Sequence, residues 1–431
     1  MDGQSAGVAE RVRELLSDAD AHARLDRYGE AITIMRGLAQ EYPRDVGILM
    51  RLGFMLRHYG RLDTAQAVHA TAYKLVPGSP RVHTAVMEST AALAIGQRNW
   101  PLLERVWNEW QARAGLPRVA VRHDPALPSI LIRLSVDDAR MTVTFGRGGA
   151  DNPSDTPAII ALRLLQQMKF WKAVHAALGR AFTILLDPTD GDATLPPLPR
   201  VAASGRGPAT FLIPDYEYIA NHGHRTQLAE LPDIPWCERR PVALWRGSTT
   251  GPRPSSGSWA DLPRVRLCQI ADLSEGRLDA GFNRFADLDR LTPPGDDGRE
   301  MRQRLGRWLR PSVSSAEFGH ARRLVAIDGH TNTWSTMMLR MATGSPVLNV
   351  ASAPGWRQWY YDRLIPWRHF VPVESDMSDL LDKADWLDRH DEEARRIGTD
   401  GAAFVRSLTW DREIVAALPT IEAAERALGA L

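Results

Sequence analysis

The chain has 431 residues, of which 44% are hydrophobic and 24% charged, and its formal net charge is +1. This composition is typical of a globular protein of two or three domains, and the small net charge argues against charge-driven binding to nucleic acid or anionic lipid. Cys237 and Cys268 are too few for a disulfide framework, so we expect buried free thiols and a reducing compartment. The N-terminus lacks the apolar core of a secretory signal. No run reaches the ~18 apolar residues that span a bilayer, so a cytoplasmic location is expected, with peripheral association at an inner membrane as a variant.

The first part of the chain, residues 1–112, contains a repeat with a period of 34 residues. The stretch LGFMLRHYGRLDTAQAVHATAYKLVPGSP resembles a tetratricopeptide repeat, and residues 82–112 are read as a degenerate third helix pair. Small residues at such positions let paired helices approach closely. The region is predicted to be an all-helical packing or docking module, and a groove that binds a partner peptide is the alternative. The equivalent positions are Asp26 and Gly60, Ala31 and Ala65, Leu38 and Ala72, and Pro43 and Pro77.

Residues 113–235 are predicted to form a first α/β lobe, because short strand-like runs alternate with a helical run. SILIRLSV, MTVTFG, AFTILL and ATFLIPD are predicted strands. DTPAIIALRLLQQMKFWKAVHAALG is a predicted helix, with Asp155 or Thr156 as its cap and Pro157 in its first turn. The proline-rich stretch at 229–242 is predicted to be the crossing to a second lobe.

Residues 236–431 are predicted to form the second α/β lobe, followed by C-terminal helices. VALW, RRLVAID, PVLNV and HFVPV are predicted strands, LPRVRLCQIADL is a predicted helix, and Asp376 is predicted to cap a helix over MSDLLDKADWLDRH. Two such lobes predict a ligand cleft between them, because parallel sheets bind ligands beyond the carboxyl ends of their strands.

Two loops of the second lobe suit an anion. The loop after VALW combines an arginine, whose planar donors fit phosphate, with hydroxyl residues and with glycines that let a ligand approach the backbone. Its residues are Arg246, Gly247, Ser248, Thr249, Thr250 and Gly251. In the second loop Asp328 and Gly329 end a strand, and Thr331, Asn332 or Thr333 is predicted to cap a helix that starts near Trp334, whose N-terminus favours negative charge. For both loops the alternative is an ordinary polar turn.

A third loop, ILLDPTDGDATLPPLP, places Asp187, Asp190 and Asp192 just after a strand of the first lobe. A carboxylate there can accept a proton from an attacking hydroxyl, and the alternative is a turn of aspartates that bond their own backbone. The chain has neither GxxxxGK[ST] nor a strand-linked GxGxxG, which argues against a P-loop or dinucleotide fold. No acidic cluster or DxD lies beside the two anion-suited loops of the second lobe, so arginine and a helix N-terminus are expected to balance a diphosphate there without a metal or other cofactor.

The motifs LWRGSTTG, LPRVRLCQIA, IDGHTNTWS…ATGSPVLNV and QWYYDRLIPWRHFVPVESDMSDL occur in this order and resemble the family 90 glycosyltransferases. This family includes capsule proteins of the CAP10 type, protein O-glucosyltransferases, and bacterial enzymes of lipopolysaccharide or capsule synthesis. The resemblance extends over about residues 120–405 and includes Ile213-Pro214-Asp215 in FLIPDYEYIANHGH. It implies a GT-B fold, with two Rossmann-like lobes and a cleft, after the tetratricopeptide-like domain.

The resemblance also implies a function, which is inverting, metal-independent transfer from a UDP-sugar of the glucose or xylose class. The implied acceptor is a hydroxyl of a surface polysaccharide, lipopolysaccharide or other glycan. Asp190 matches the position of the family's base best, with Asp187 as its competitor. The implied donor-binding residues are Arg246, Gly247, Ser248, Thr249, Gly329, Trp334 and Ser335. Three further candidates for the donor site are Asp328 and Thr333 of the second loop, and Arg264 as a source of charge.

One departure from the family keeps a second function open. Many relatives place glycine and a basic residue after the Trp-Ser pair, whereas this chain has Thr336, Met337 and Met338, and its next basic residue is Arg340. The alternative is therefore a scaffold or adaptor that binds a protein partner through its tetratricopeptide-like region and whose transferase domain no longer turns over.

Overall fold

The computed structural model describes residues 2–114, 118–128, 131–146, 157–191, 197–252, 258–288, 292 and 298–430. These residues form two compact units. The first contains the described residues of Met1–Thr189, Ala193–Arg200 and Ala424–Leu431, and the second contains those of Asp190–Asp192 and Val201–Ala423. The proline-rich stretch 229–242 therefore lies within the second unit. The finer division into three domains, with boundaries at 112 and 235, stays a prediction.

The N-terminal region is helical, as the repeat predicts. Its helices are α1 (Asp2–Arg24), α2 (Tyr28–Glu41), α3 (Val46–His58), α4 (Leu62–Leu75), α5 (Pro80–Gly96) and α6 (Trp100–Ala114). Asp26 and Gly60, one period apart, both adopt left-handed φ angles of 59° and 78° where one helix ends and the next begins. Gly53 allows α3 and α4 to pack closely, because a Cβ there would lie 2.2 Å from the buried His69 ring. The tetratricopeptide assignment itself stays a prediction.

The first unit continues with four strands and one long helix: β1 (Arg118–His123), β2 (Ile132–Val136), β3 (Arg140–Phe145), α7 (Pro157–Leu178) and β4 (Phe182–Leu186). The strands lie in the order β1-β3-β2-β4, with β1 parallel to β3 and β2 antiparallel to both of its neighbours. The arrangement of these four strands is therefore mixed and not wholly parallel. The connection from β2 to β3 is too short for the crossover that parallel strands need. The predicted caps Asp155 and Thr156 lie outside the described residues.

The helical region packs directly on this sheet. Asn108 of α6 donates from Nδ2 to Val119 O at 2.8 Å and accepts from Val119 N at 2.9 Å, so one side chain satisfies both backbone groups of an edge residue. Glu104, one helical turn earlier, accepts from Val121 N at 2.8 Å. Edge strands expose unpaired backbone groups, and α6 supplies their partners here.

The second unit contains a five-stranded parallel sheet in the order β11-β10-β9-β7-β8. Two short strands precede it, β5 (Arg200–Ala202) and β6 (Thr210–Leu212), with the helices α8 (Tyr216–Ala220) and α9 (Arg225–Ala229). The sheet and its connections are β7 (Arg240–Ser248), α10 (Pro263–Asp272), β8 (Leu278–Arg284), α11 (Arg299–Gly306), α12 (Ser315–Phe318), β9 (Ala321–Ala326), α13 (Ser335–Ala342), β10 (Val347–Val350) and β11 (Val371–Val373). The helices α14 (Leu380–Arg389), α15 (Asp391–Ser407) and α16 (Trp410–Gly429) follow.

The alternating α/β prediction is confirmed, with several corrections in detail. Asp376 does not cap a helix, because α14 begins only at Leu380 and the Asp376 carboxylate accepts from Ser378 N at 3.0 Å in the preceding turn. Both cysteines are free, but Cys237 is exposed and only Cys268 is buried. Strand β8 was not predicted from the sequence. Among the described residues no helix is long and apolar enough to cross a bilayer.

Candidate functional site

The carboxyl ends of β7 and β9 form the topological switch point of the second unit's sheet. From β7 the chain first adds β8 on one side, then crosses to the other side for β9, β10 and β11. In a doubly wound sheet the crevice beyond two such strands is the usual ligand site, because the two connecting helices leave in opposite directions there. Residues 248–251, 284–288 and 327–335 follow β7, β8 and β9 at this edge, and we call them the candidate donor loops.

Arg264, near the start of α10, joins the two strand ends at the switch point. Its Nη1 donates to Thr250 Oγ1 at 2.6 Å and to Ser248 O at 3.1 Å on the β7 side. On the β9 side Nε donates to Asp328 O at 2.8 Å, and Nη2 donates to Ile327 O at 3.2 Å. The residue is buried, and burial lowers its pKa to about 10, an effect that the charge of Asp328 partly opposes. A buried guanidinium bonded to neutral oxygens gives this edge a positive potential.

Gly329 packs against that guanidinium. A Cβ at this position would lie 3.0 Å from Arg264 Nη2 and 3.0 Å from Thr250 Oγ1, so a side chain would force the two loops apart. Gly247 has a different environment, because the space next to its Cα is filled by the Trp245 ring, 2.6 Å from an ideal Cβ. The absent side chain at Gly247 therefore accommodates an indole ring of the protein itself.

The loop after β8 is tied to the same edge by two contacts. Thr249 Oγ1 donates to Ala286 O and accepts from Ala286 N, each at 2.8 Å. His330 Nδ1 lies 3.1 Å from Gly251 O, and its Nε2 lies 2.8 Å from Asp287 Oδ2. A backbone carbonyl only accepts, so Nδ1 is the donor to Gly251 O, and Nε2 faces the Asp287 carboxylate.

Asp328, in the loop after β9, is partly buried. Burial raises its pKa to about 6, although hydrogen bonds from Ser352 and Asn332 and the charge of Arg264 favour the ionised form. Asn332 Oδ1 in turn accepts from Ser204 Oγ at 2.7 Å, and Ser204 and Asn332 are both buried. Thr333, predicted as a donor ligand, is half-buried, and its carbonyl accepts from Thr336 N at 3.1 Å.

The helix after this loop begins where it was predicted, next to Trp334, but it is not capped by a side chain. Its first residue is Ser335 and its N-cap position is Trp334, with φ 48° and ψ −138° and no side-chain capping bond. The prediction that Thr331, Asn332 or Thr333 caps it is therefore wrong, because the strained backbone of Trp334 already turns the chain into the helix. Ser335 is completely buried, and its hydroxyl bonds Asp215 and His224 instead of facing the loops.

The Arg246 side chain on β7 forms an ion pair with Asp279 on the neighbouring strand β8. Its Nη2 donates to Asp279 Oδ2 at 2.9 Å, Nη1 lies 2.8 Å from Asp279 Oδ1, and Nη1 also donates to the carbonyls of Trp245 and Asp279. Only 9% of the side chain is exposed. This geometry favours a structural role for Arg246, and its contact with a diphosphate stays a prediction.

The Met337-Met338 pair and Arg340 belong to the core of the second unit. Both methionines are completely buried, and Arg340 is 3% exposed, with bonds to the carbonyls of Val325 and Arg246. Burial, with a smaller contribution from the nearby charge of Arg264, lowers the pKa of Arg340 to about 9. Arg340 therefore adds positive charge behind the switch point without reaching a ligand.

The two candidate bases have different environments. Asp187, in the first unit, is 1% exposed, and its Oδ1 accepts from Thr189 N at 2.9 Å and from Thr189 Oγ1 at 2.6 Å. Its Oδ2 lies 3.6 Å from Arg200 Nε, and burial raises its pKa. This is the self-bonded aspartate turn that the sequence offered as an alternative. Asp192 lies outside the described residues.

Asp190 is half-buried and belongs to the second unit, the one that contains the candidate donor loops. The next residue, Gly191, has φ 90°, and a Cβ there would lie 2.6 Å from Ser204 O. Since Ser204 bonds Asn332, the Asp190 turn packs next to the loop after β9. Of the two carboxylates, Asp190 is the one that is partly exposed, whereas Asp187 is buried.

Sequence reasoning missed three polar residues that lie behind the candidate donor loops. Ser204 and His224 were not singled out, and Asn332 was considered only as a helix cap, not as the hydrogen-bond partner of Ser204. Asp215 was noticed only as part of a resembling stretch. A signal was present in FLIPDYEYIANHGH, where Asp215 and two histidines lie in a segment that also carries several large apolar and aromatic residues. Nothing in the sequence alone indicated that these residues meet a serine more than 100 positions later.

Comparison with known proteins identifies the segment that contains these loops. Residues 223–414 match the family model described as Glycosyl transferase family 90. Protein O-glucosyltransferase 2 of Danio rerio is 48% identical over 144 residues, which are 33% of this chain and 26% of that protein. Uncharacterized protein 035R of Invertebrate iridescent virus 3 is 28% identical over 181 residues, or 40% of this chain. The matched parts are thus only 26% and 15% of the lengths of these two relatives.

Among solved structures, Anabaena Alr3699/HepE in complex with UDP-glucose aligns with 81% of this chain and 82% of its own, at 12% identity and a TM-score of 0.29. The family match is independent of this structural alignment. The matched segment, residues 223–414, contains β7 to β11, Arg264 and the candidate donor loops. Over residues 223–414, this chain is therefore similar to the family 90 glycosyltransferases.

Proposed function

We propose that the protein transfers a sugar from a UDP-sugar to a hydroxyl group of a glycan acceptor, with inversion at the anomeric carbon and without a metal ion. The family match supports sugar transfer, and the relative named a protein O-glucosyltransferase supports a glucose-type donor. The resembling family adds xylose as a second donor, and polysaccharide or lipopolysaccharide as acceptors.

The observation that carries the proposal is the position of Arg264. Its guanidinium joins the ends of β7 and β9 at the switch point, where doubly wound sheets bind nucleotides. Its bonded partners among the described residues are neutral oxygens, so the charge of this cation is not cancelled by a bonded carboxylate. A diphosphate at this edge supplies the missing negative charge, and the N-terminus of α13 adds the positive end of a helix dipole.

The proposed reaction is a single displacement. Asp190 accepts the proton of the acceptor hydroxyl as the oxygen attacks the anomeric carbon, and the bond to the UDP oxygen breaks on the opposite face. Negative charge that develops on the leaving diphosphate is stabilised by Arg264 and by backbone N–H groups at the start of α13. Among the described residues no three His, Cys, Asp or Glu side chains cluster as metal ligands do, and independence from metal is part of the proposal.

One observation supports the alternative function, a scaffold or adaptor without transferase activity. The first turn of α13 offers two buried methionines where many relatives have a basic residue, and the Ser335 hydroxyl points away from the loops. Weaker stabilisation of the leaving group follows from this, as expected of a scaffold or adaptor that binds the sugar nucleotide without turnover.

Thermal-shift measurements with UDP and UDP-glucose, each in EDTA and in magnesium, test the proposal. Ligand binding to the native state raises the melting temperature, so a UDP shift of equal size in both buffers is expected. A rise in melting temperature that requires magnesium contradicts the proposal that UDP binds without a metal ion. If the melting temperature rises in neither buffer, the proposal that the donor is a UDP-sugar is contradicted. Slow UDP-glucose hydrolysis that is lost in Asp190→Asn distinguishes the enzyme from the scaffold, which binds but does not hydrolyse.

A further inference from the structure

Three buried polar side chains meet behind the first turn of α13. Ser335 Oγ donates to Asp215 Oδ1 at 3.0 Å, and His224 Nε2 lies 2.7 Å from the same Ser335 oxygen. Asp215 and Ser335 are completely buried, and His224 is 2% exposed. All three lie in the second unit, and we call them the Asp215–Ser335–His224 network.

The chemistry of the network excludes a nucleophilic role for the serine. The Ser335 hydroxyl has a single proton, which it donates to Asp215 Oδ1, so His224 Nε2 is the donor in its contact with Ser335. Burial lowers the pKa of His224 to about 4, which keeps the imidazole neutral near pH 7. The serine lies between acid and imidazole, is inaccessible to solvent, and cannot give its proton to the histidine while that nitrogen donates.

The network anchors the start of α13 to the segment that precedes β7. Asp215 Oδ1 also accepts from Tyr218 N at 2.8 Å and so caps α8, while His224 immediately precedes α9. The Trp334 ring lies 5.3 Å from the Tyr216 ring, beside this anchor. Two adjacent residues of the α13 turn thus contact the same short segment.

That anchoring offsets a local strain. Trp334 has a positive φ of 48°, a conformation that L-residues other than glycine adopt rarely and that costs about 1–3 kcal/mol. Such a conformation persists only where its surroundings hold it. Without the Ser335 bonds, the turn is free to relax and the N–H groups of the first turn lose their direction.

We propose that Asp215 and His224 are positioning residues for the sugar-nucleotide donor, acting through Ser335. They do not touch the donor. They hold the first turn of α13 so that its backbone N–H groups point at the diphosphate, which explains a buried serine at a position where the sequence suggested a ligand. This inference rests on the proposed function for the identity of the donor, and its structural part stands on the network alone.

The experiment uses the full chain with three pairs of variants. Ser335→Ala removes the central hydroxyl, and Ser274→Ala is its control, because Ser274 is also completely buried and hydrogen-bonded in this unit but lies at the amino end of β8. Asp215→Leu removes the acceptor, whereas Asp215→Asn keeps an oxygen for Ser335 and Tyr218. His224→Leu removes the donor, whereas His224→Gln keeps an N–H at a similar reach.

Two quantities are measured for each variant: the Kd for UDP, and the amide exchange rates of residues 335–338 without ligand. We expect UDP binding to weaken about tenfold or more, and amide exchange in this turn to become faster, in Ser335→Ala, Asp215→Leu and His224→Leu. The reason is that backbone N–H groups that no longer point at the diphosphate lose most of their contribution to binding. Asp215→Asn and His224→Gln are expected to restore both quantities to within about threefold of wild type. Ser274→Ala is expected to lower the melting temperature and leave both quantities unchanged.

Each remaining outcome is decisive. If the variants lose stability but UDP affinity does not separate Ser335→Ala from Ser274→Ala, the network only stabilises the fold and the inference is overturned. If wild type shows no UDP binding, the proposed function fails, and the exchange rates alone decide the structural part. Unchanged exchange at 335–338 in Ser335→Ala then overturns it, and faster exchange that the Asp215→Asn and His224→Gln variants do not show supports it.

Discussion

Arg264 Nη1 lies 2.6 Å from Thr250 Oγ1, and this hydrogen bond joins a buried cation on α10 to the loop that follows β7. The same guanidinium reaches the loop that follows β9 through Asp328 O. One residue thus sets the spacing of two loops that lie on opposite sides of the switch point.

Arg264→Lys should weaken UDP binding about tenfold or more, because lysine cannot supply Nε and both Nη groups to four oxygens at once, and one bond to a charged group contributes roughly 1.5–3 kcal/mol. Titration calorimetry with UDP measures the loss. Arg266→Lys is the matched control, since Arg266 lies two residues away on the same helix and is exposed. Equal affinities for the two variants would remove Arg264 from the donor site.

Arg246 and Asp279 should behave as a structural pair. Arg246→Lys and Asp279→Asn are each expected to lower the free energy of unfolding, and the double variant should lose less than the sum, with a coupling energy of about 1 kcal/mol or more. Denaturant unfolding of the four proteins gives that coupling. If Arg246→Lys instead leaves stability intact and abolishes UDP binding, the guanidinium leaves Asp279 to meet the diphosphate, as the sequence suggested.

Asp190→Asn should reduce transfer by ~10²–10⁴-fold while UDP affinity is retained, because asparagine cannot accept the acceptor's proton. Asp187→Asn should mainly lower stability, since it places an amide NH₂ group in the Arg200 environment of a buried carboxylate. Initial rates and melting temperatures of both variants separate the two roles. A fully active, unstable Asp190→Asn together with an inactive, stable Asp187→Asn would reverse the assignment.

Gly191→Ala should impair transfer more than donor binding. The new Cβ would lie 2.6 Å from the backbone oxygen of Ser204, and the φ of 90° disfavours alanine, so the Asp190 turn must move. We expect the kcat of Gly191→Ala to fall and its Kd for UDP to stay near that of wild type. Gly207→Ala is a control with a similar φ of 83° but with no neighbouring atom within 4 Å of its Cβ.

The stability of the protein should depend on pH through Asp215. Burial raises its folded pKa to about 7, above the ordinary value of 3.8, so the folded state binds a proton that the unfolded state releases between these values. The stability that Asp215 contributes is therefore fully present below pH 3.8 and is lost as the pH rises through about 7. Asp215→Asn has no such proton. Its stability relative to wild type should rise from pH 4 to pH 7 and level off above, as melting temperatures at several pH values will test; a constant difference contradicts the shift.

The sequence predicted the element types and the two loop motifs of the second unit, because strand-like runs there end in glycine and polar residues. It did not predict where the side chains of those motifs point. Arg246 has the right chemistry for phosphate, but its partner Asp279 lies on β8, whose sequence LDAGFNR is too polar to be recognised as a strand. Ser335 was assigned to the donor site through the family resemblance, and only the fold brings Asp215 and His224 to it.

Arg264 illustrates the opposite case. Sequence reasoning included it as a source of charge, but a charged residue near the start of a helix is ordinarily exposed, and nothing local indicated a buried cation. Its role depends on the strand order, in which β9 crosses to the far side of β7. Strand order is a property of long-range packing, so the local sequence pattern cannot reveal it.

The first unit is discontinuous along the chain, and this affects the order in which it can be completed during synthesis. Glu425 accepts from Thr183 N at 3.0 Å and from Arg180 at 2.7 Å, so one backbone N–H at the start of β4 has its partner about 240 positions downstream. Chains emerge from the ribosome at roughly 5–20 residues per second. The nascent first unit therefore spends on the order of ten seconds or more with this strand incompletely bonded, while every residue of the second unit is being made.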